Sequence, residues 1–120
     1  MGLTRVTAKL TNLAKSETGF EGSFLVDTGA IDCLVPGSAL IKAGIQVEGR
    51  DVYELANGQS VEYAYGFARI TFMGSETVCQ VIFGPDEAEP ILGVVALENV
   101  GIGVDPVSKE LKRMTAKPLK

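Results

Sequence analysis

The sequence predicts a small, mainly β domain, closed as a barrel or a sandwich, with one or two short helices. Three observations carry that reading. About eight short apolar or alternating runs are separated by turn signals. Only two segments, both short, read as helices. The 120 residues, 46% apolar and 22% charged, suit one folded domain and leave no room for two ordinary ones.

The elements follow in chain order. Thr4, Val6, Ala8 and Leu10 alternate as in a half-buried strand, and Ser16–Gly19 is turn-like. Phe20–Val26 is a second strand, broken by Asp27-Thr28-Gly29, and Ile31–Val35 resumes an apolar run. Pro36 suits the first turn of a helix and Gly44 its end, which places a short helix at Ser38–Ala43. Val52–Ala56 and Ser60–Ile70 flank Asn57-Gly58, the strongest short hairpin signal in the chain. Met73-Gly74 marks another turn, before the strand Glu76–Phe83 and an acidic loop, Pro85–Pro90. Ile91-Leu92-Gly93 is a short apolar strand, and Val94–Asn99 a second short helix. Gly101–Asp105 and Ser108–Leu111 form a last hairpin around Asp105-Pro106. A weak internal echo is present, because Phe24–Gly29 and Ile91–Gly93 are both apolar strands running into glycine. It is too short to establish a repeat.

Composition excludes several chemistries. There is no histidine, so no Ser-His-Asp triad, Cys-His pair or histidine-ligated metal site can be built. The net charge of -4 is uneven: residues 1–108 hold six basic and fourteen acidic side chains, and residues 109–120 hold five basic and one acidic. An acidic body is a poor match for nucleic acid. The basic end (Lys109, Lys112, Arg113, Lys117, Lys120) reads as a solvated, frayed terminus, which divides the chain into a domain at 1–111 and a tail at 112–120. The longest apolar run, Ile91–Leu97, is far too short to span a membrane. The first residues lack the core of a signal peptide, and Val6 breaks the myristoylation pattern after Gly2, so a cytoplasmic location is expected. Cys33 and Cys79 form no CxxC or zinc pattern and read as two buried thiols in a reducing compartment.

The segment that carries chemistry is FLVDTGAIDCLVP, residues 24–36. Asp-Thr-Gly alone is an ordinary turn after a strand. Its setting raises it, because Asp27 sits between two apolar strands with no Lys or Arg nearby in sequence. A carboxylate so placed is a functional-site candidate.

FLVDTGA, then a hairpin around LANGQS, then ILGVVALE followed by VGIGVDP, resembles a retropepsin-like aspartic protease. More narrowly it resembles the small single-domain prokaryotic and archaeal members, over roughly residues 20–111 with three motifs in the expected order. The resemblance implies an acid-protease barrel with half of a homodimeric active site per chain. Asp27 is then the catalytic aspartate, and two copies meet on the two-fold axis of an isologous dimer. Thr28 would bond across to the partner loop, and the N–H of Gly29 would reach a carboxylate oxygen. Ala30 lines the substrate side and cannot donate a hydrogen bond, which predicts an activity optimum from weak acid to near neutrality. The Val52–Ile70 hairpin would be a flap, with Ala56, Asn57, Gly58 and Gln59 at a tip that meets an extended peptide. No metal or other cofactor is implied.

Some residues depart from the family pattern. Ile31 replaces an aspartate that bonds substrate backbone in retroviral members, and Asp32 is placed either in the pocket or on the surface. The flap tip has one glycine where viral flaps have several, and Lys112–Lys120 do not look like an apolar dimer strand. Three other readings stand beside the peptidase. The first is a catalytically quiet peptide-binding or dimerisation module of the same fold. The second is a metal-dependent hydrolase using Asp27, Asp32 and Asp51, for which no EF-hand spacing is present. The third is an aspartyl-phosphate enzyme, which would need a Lys between Asp27 and Thr28.

Overall fold

The computed structural model describes residues 4–14 and 18–117. Nine strands and two short helices follow one another in these residues. They are β1 (Arg5–Thr11), β2 (Gly19–Val26), β3 (Cys33–Pro36), α1 (Gly37–Lys42), β4 (Gly49–Glu54) and β5 (Ser60–Phe72). After them come β6 (Ser75–Gly84), β7 (Ile91–Leu92), α2 (Val94–Asn99), β8 (Ile102–Val104) and β9 (Leu111–Arg113). The expected elements are present, with shifted ends. Of the turn expected at Ser16–Gly19, Ser16 and Glu17 lie outside the described residues.

Seven strands form one sheet in the order β1-β2-β7-β3-β6-β5-β4, and β1 also pairs with β5. That extra pairing (Lys9 to Thr71, Leu10 to Ile70) makes the ladder run round a ring of six strands. Alternation explains the strands. Ala8 and Leu10 of β1 are buried, and so are Gly66, Ala68, Ile70 and Phe72 of β5. They meet Phe24, Val35, Val81 and Leu92 inside the ring, with Leu40 of α1 and Leu97 of α2. Each fully buried leucine or phenylalanine contributes roughly 1.5–3 kcal/mol of transfer free energy.

β7 is two residues long and lies between β2 and β3, parallel to the first and antiparallel to the second. It sets Leu25 beside Ile91 and Val26 beside Leu92. The two segments of the sequence echo are therefore neighbours in the sheet.

Two turns differ from expectation. Asn57-Gly58 does mark a hairpin, but only Gly58 of the two has positive φ (87°). A two-residue type I′ turn needs both. Instead Gly58 N–H donates to Leu55 O and Leu55 N–H donates to Gln59 O, which closes a three-residue loop. The type I′ signature falls at Met73-Gly74, where both φ values are positive (52° and 78°).

The C-terminal end is also corrected. The strand expected at Ser108–Leu111 lies at Leu111–Arg113, because Asp105 organises a longer loop. Its carboxylate accepts the N–H groups of Ser108 (3.1 Å) and Val107 (2.8 Å), which hold its pKa below the ordinary carboxylate value. The boundary at residue 111 therefore falls inside a hairpin. Lys112 and Arg113, expected in a frayed tail, pair with β8, and Arg113 donates to Ser75 Oγ (2.7 Å). Lys117 Nζ donates to Asn99 O (2.8 Å). Lys120 lies outside the described residues. Among the described residues no helix is long and apolar enough to cross a membrane.

Candidate active site

Five of the six residues between β2 and β3, all but Thr28, form the floor of a groove of about 770 Å³. Three long-range backbone bonds hold this loop from behind. Asp27 N–H donates to Leu92 O (3.1 Å), Val94 N–H to Ala30 O (2.8 Å) and Val95 N–H to Ile31 O (3.2 Å). Gly93 makes that approach possible, because a Cβ there would lie 2.5 Å from Asp32 O and 2.6 Å from Ile31 O. Ile91-Leu92-Gly93 thus packs behind the Asp27 loop, with the start of α2 bonded to its carbonyls.

Asp27 is half-buried and lines the groove. Gly29 N–H donates to its Oδ1 at 2.9 Å, and Ala30 N–H donates to its backbone O at 3.1 Å. The carboxylate is thereby oriented by its own loop. Such an oriented oxygen can take a proton from a water or present one to a carbonyl.

Of the residues singled out in the sequence, Asp27, Gly29, Ala30, Ile31, Asp32 and Ala56 line the groove. Ile31 is 69% exposed at its edge. Thr28 is exposed and outside the lining, and so are Asn57, Gly58 and Gln59 of the flap tip. In this arrangement only Ala56 of the tip reaches the groove wall.

The β4–β5 hairpin covers one side through Val52, Tyr53, Glu54, Leu55 and Tyr63. Tyr53 was not singled out in the sequence, yet its hydroxyl donates to Asp32 Oδ2 (3.4 Å). Gln80 of β6, also missed, donates to the same oxygen (3.2 Å) and to the Tyr53 oxygen (3.2 Å). The surface placement considered for Asp32 is therefore set aside. Burial pushes the Asp32 carboxyl above its ordinary value, the Tyr53 hydrogen bond opposes this, and the charge of Asp51 adds to it. Burial likewise pushes the Tyr53 phenol up.

Behind this wall, Cys33 and Cys79 are buried with sulfurs 3.8 Å apart. The hydrogen bond with Cys33, then burial, pushes the Cys79 thiol up, and the same hydrogen bond draws the Cys33 thiol down. Cys33 sits opposite Val81 in the β3–β6 ladder, two residues from Cys79. That diagonal spans roughly 8 Å between Cα atoms, too far for a disulfide without backbone movement. Among the described residues no three His, Cys, Asp or Glu side chains converge to hold a metal, so Asp27, Asp32 and Asp51 form no such group.

The ring of strands, the short β7 and the Asp-Thr-Gly loop define the retropepsin-like aspartic protease fold. Solved structures agree. The chain is similar to the simian foamy virus (mac) protease, with a TM-score of 0.55 and 14% identity, covering 78% of this chain and 90% of that one. It is also similar to the retroviral protease-like domain of Ddi1 from Leishmania major, with a TM-score of 0.51 and 16% identity, covering 96% and 92%. No family model and no curated protein matches the sequence.

Proposed function

We propose that this chain is one half of a homodimeric aspartic endopeptidase. The observation that carries the proposal is Asp27, a carboxylate oriented by Gly29 N–H on the floor of a groove, present once per chain. A two-fold axis beside the loop would bring Asp27 against Asp27 of the partner subunit. Two carboxylates about 3 Å apart share one proton, the behaviour already known for this family's dyad. The ionised member takes a proton from a bound water, and the protonated member hydrogen-bonds the scissile carbonyl. Water adds to give a tetrahedral diol, and a proton then passes to the leaving amine. No metal takes part in these steps. Thr28, exposed and off the groove, suits a contact with the partner loop. An extended peptide would lie between the floor and the β4–β5 hairpin, taking backbone bonds by strand addition.

The test compares wild type with Asp27→Asn at high protein concentration, on an unfolded protein from about pH 4 to pH 7, with products read by mass spectrometry. Internal cuts by wild type alone are expected, with a loss of at least about 10²-fold in the variant. An optimum near pH 2 would contradict the role given to Ala30. A dimer that binds peptide and never cuts would instead make the chain a quiet binding module of the same fold.

A further inference from the structure

The wall of the groove is apolar around Ile31, Leu34, Val52, Tyr63 and Ile82, yet Asp32 opens onto it beside Tyr53. Both hydrogen bonds to the Asp32 carboxylate end on one oxygen, Oδ2, from Tyr53 and Gln80. Among the described residues Oδ1 accepts none, and no Lys or Arg pairs with Asp32 or lines the groove. The charge that acts on it most is Asp51, of the same sign. A half-buried carboxylate beside another, with an open acceptor and no cation, is under-compensated within its own chain. What would complete it is a positive charge brought by the molecule in the groove.

We infer that Asp32 is a specificity-determining residue that receives a lysine or arginine side chain of an extended peptide. This rests on the reading of the groove as a peptide site. Tyr53 and Gln80 are positioning residues: they fix Oδ2 and leave Oδ1 for one charge-assisted N–H from the peptide. The aliphatic stem of the incoming side chain lies along the apolar wall while its charged end meets Asp32. Peptides that carry an acidic residue at that position are disfavoured by Asp32 and Asp51 together.

The experiment uses pairs of peptides that differ only in lysine against norleucine, with the lysine moved through each position in turn. Cleavage is measured with wild type, and binding is measured by fluorescence anisotropy with Asp27→Asn, which reads the groove without the chemistry. The quantity compared is the lysine-to-norleucine ratio on each protein. A ratio of about ten at one position is expected for wild type and for Asp27→Asn, collapsing to about one in Asp32→Asn. In wild type the ratio falls as salt is raised, and this measurement needs no variant. A ratio near one at every position overturns the inference, even where cleavage itself upholds the peptidase. So does a lysine preference that survives Asp32→Asn. Lysine-dependent binding without cleavage upholds the inference and defeats the peptidase, and a groove that binds no peptide overturns both.

Discussion

The loop that carries Asp27 and the loop at the flap tip are similar in length and opposite in support. The first, between β2 and β3, is bonded through its backbone to Leu92, Val94 and Val95, more than sixty residues away in the chain. The second, between β4 and β5, is exposed, and its hydrogen bonds stay within Leu55–Gln59. Long-range support fixes a geometry, and local support leaves a segment free to move as a unit. On the proposed reading, a catalytic carboxylate uses the first kind of support and a cover uses the second. Among the described residues, Tyr53 OH to Asp32 is the side-chain hydrogen bond that joins β4 to the floor.

The largest break in this contrast is expected at Gly93. Gly93→Ala places a methyl group against the backbone of Ile31 and Asp32, so the floor must shift. Urea denaturation should show a loss of about 1–3 kcal/mol, with cleavage lost beyond what unfolding explains. Gly58→Ala is a smaller change. Its φ of 87° disfavours alanine, but no atom lies within 4 Å of the added methyl. A stability cost of about 1 kcal/mol is expected, smaller than at Gly93, with cleavage retained. Equal stability losses at the two positions would erase the distinction between floor and flap.

The smallest effect sharpens the link between them. Burial raises Asp32 above its ordinary value of 3.8, so the folded chain holds a proton that the unfolded chain releases. The stability lent by Asp32 is therefore full below about pH 3.8 and falls as pH rises through its folded value. Asp32→Asn, which cannot ionise, should melt slightly above wild type near pH 7. That advantage should shrink toward pH 3. A gap independent of pH would show that burial does not tune this carboxylate.

Much of this was legible locally. Alternation at Val6, Ala8 and Leu10 gave β1, and the apolar pair Ile91-Leu92 running into Gly93 gave β7. Asp27 was legible because a carboxylate between apolar strands has few structural uses. Tyr53 and Gln80 were not, because they reach Asp32 only through the register of β4 on β5 and of β3 on β6, which no local pattern specifies. Gln80 did leave a trace, as the one polar side chain within Val78–Phe83 apart from the Cys79 thiol. The shift of β9 was hidden because Asp105 caps its loop through backbone N–H groups, a geometry that Asp-Pro alone does not encode.

The wedge of β7 between β2 and β3 also sets an order of assembly. The flap hairpin closes a loop of a few residues and can form early, whereas the Asp27 floor waits for a strand 65 positions further along. Closing that span costs entropy before any contact repays it. A chain leaving the ribosome therefore carries the β4–β5 hairpin well before it carries the Asp27 floor.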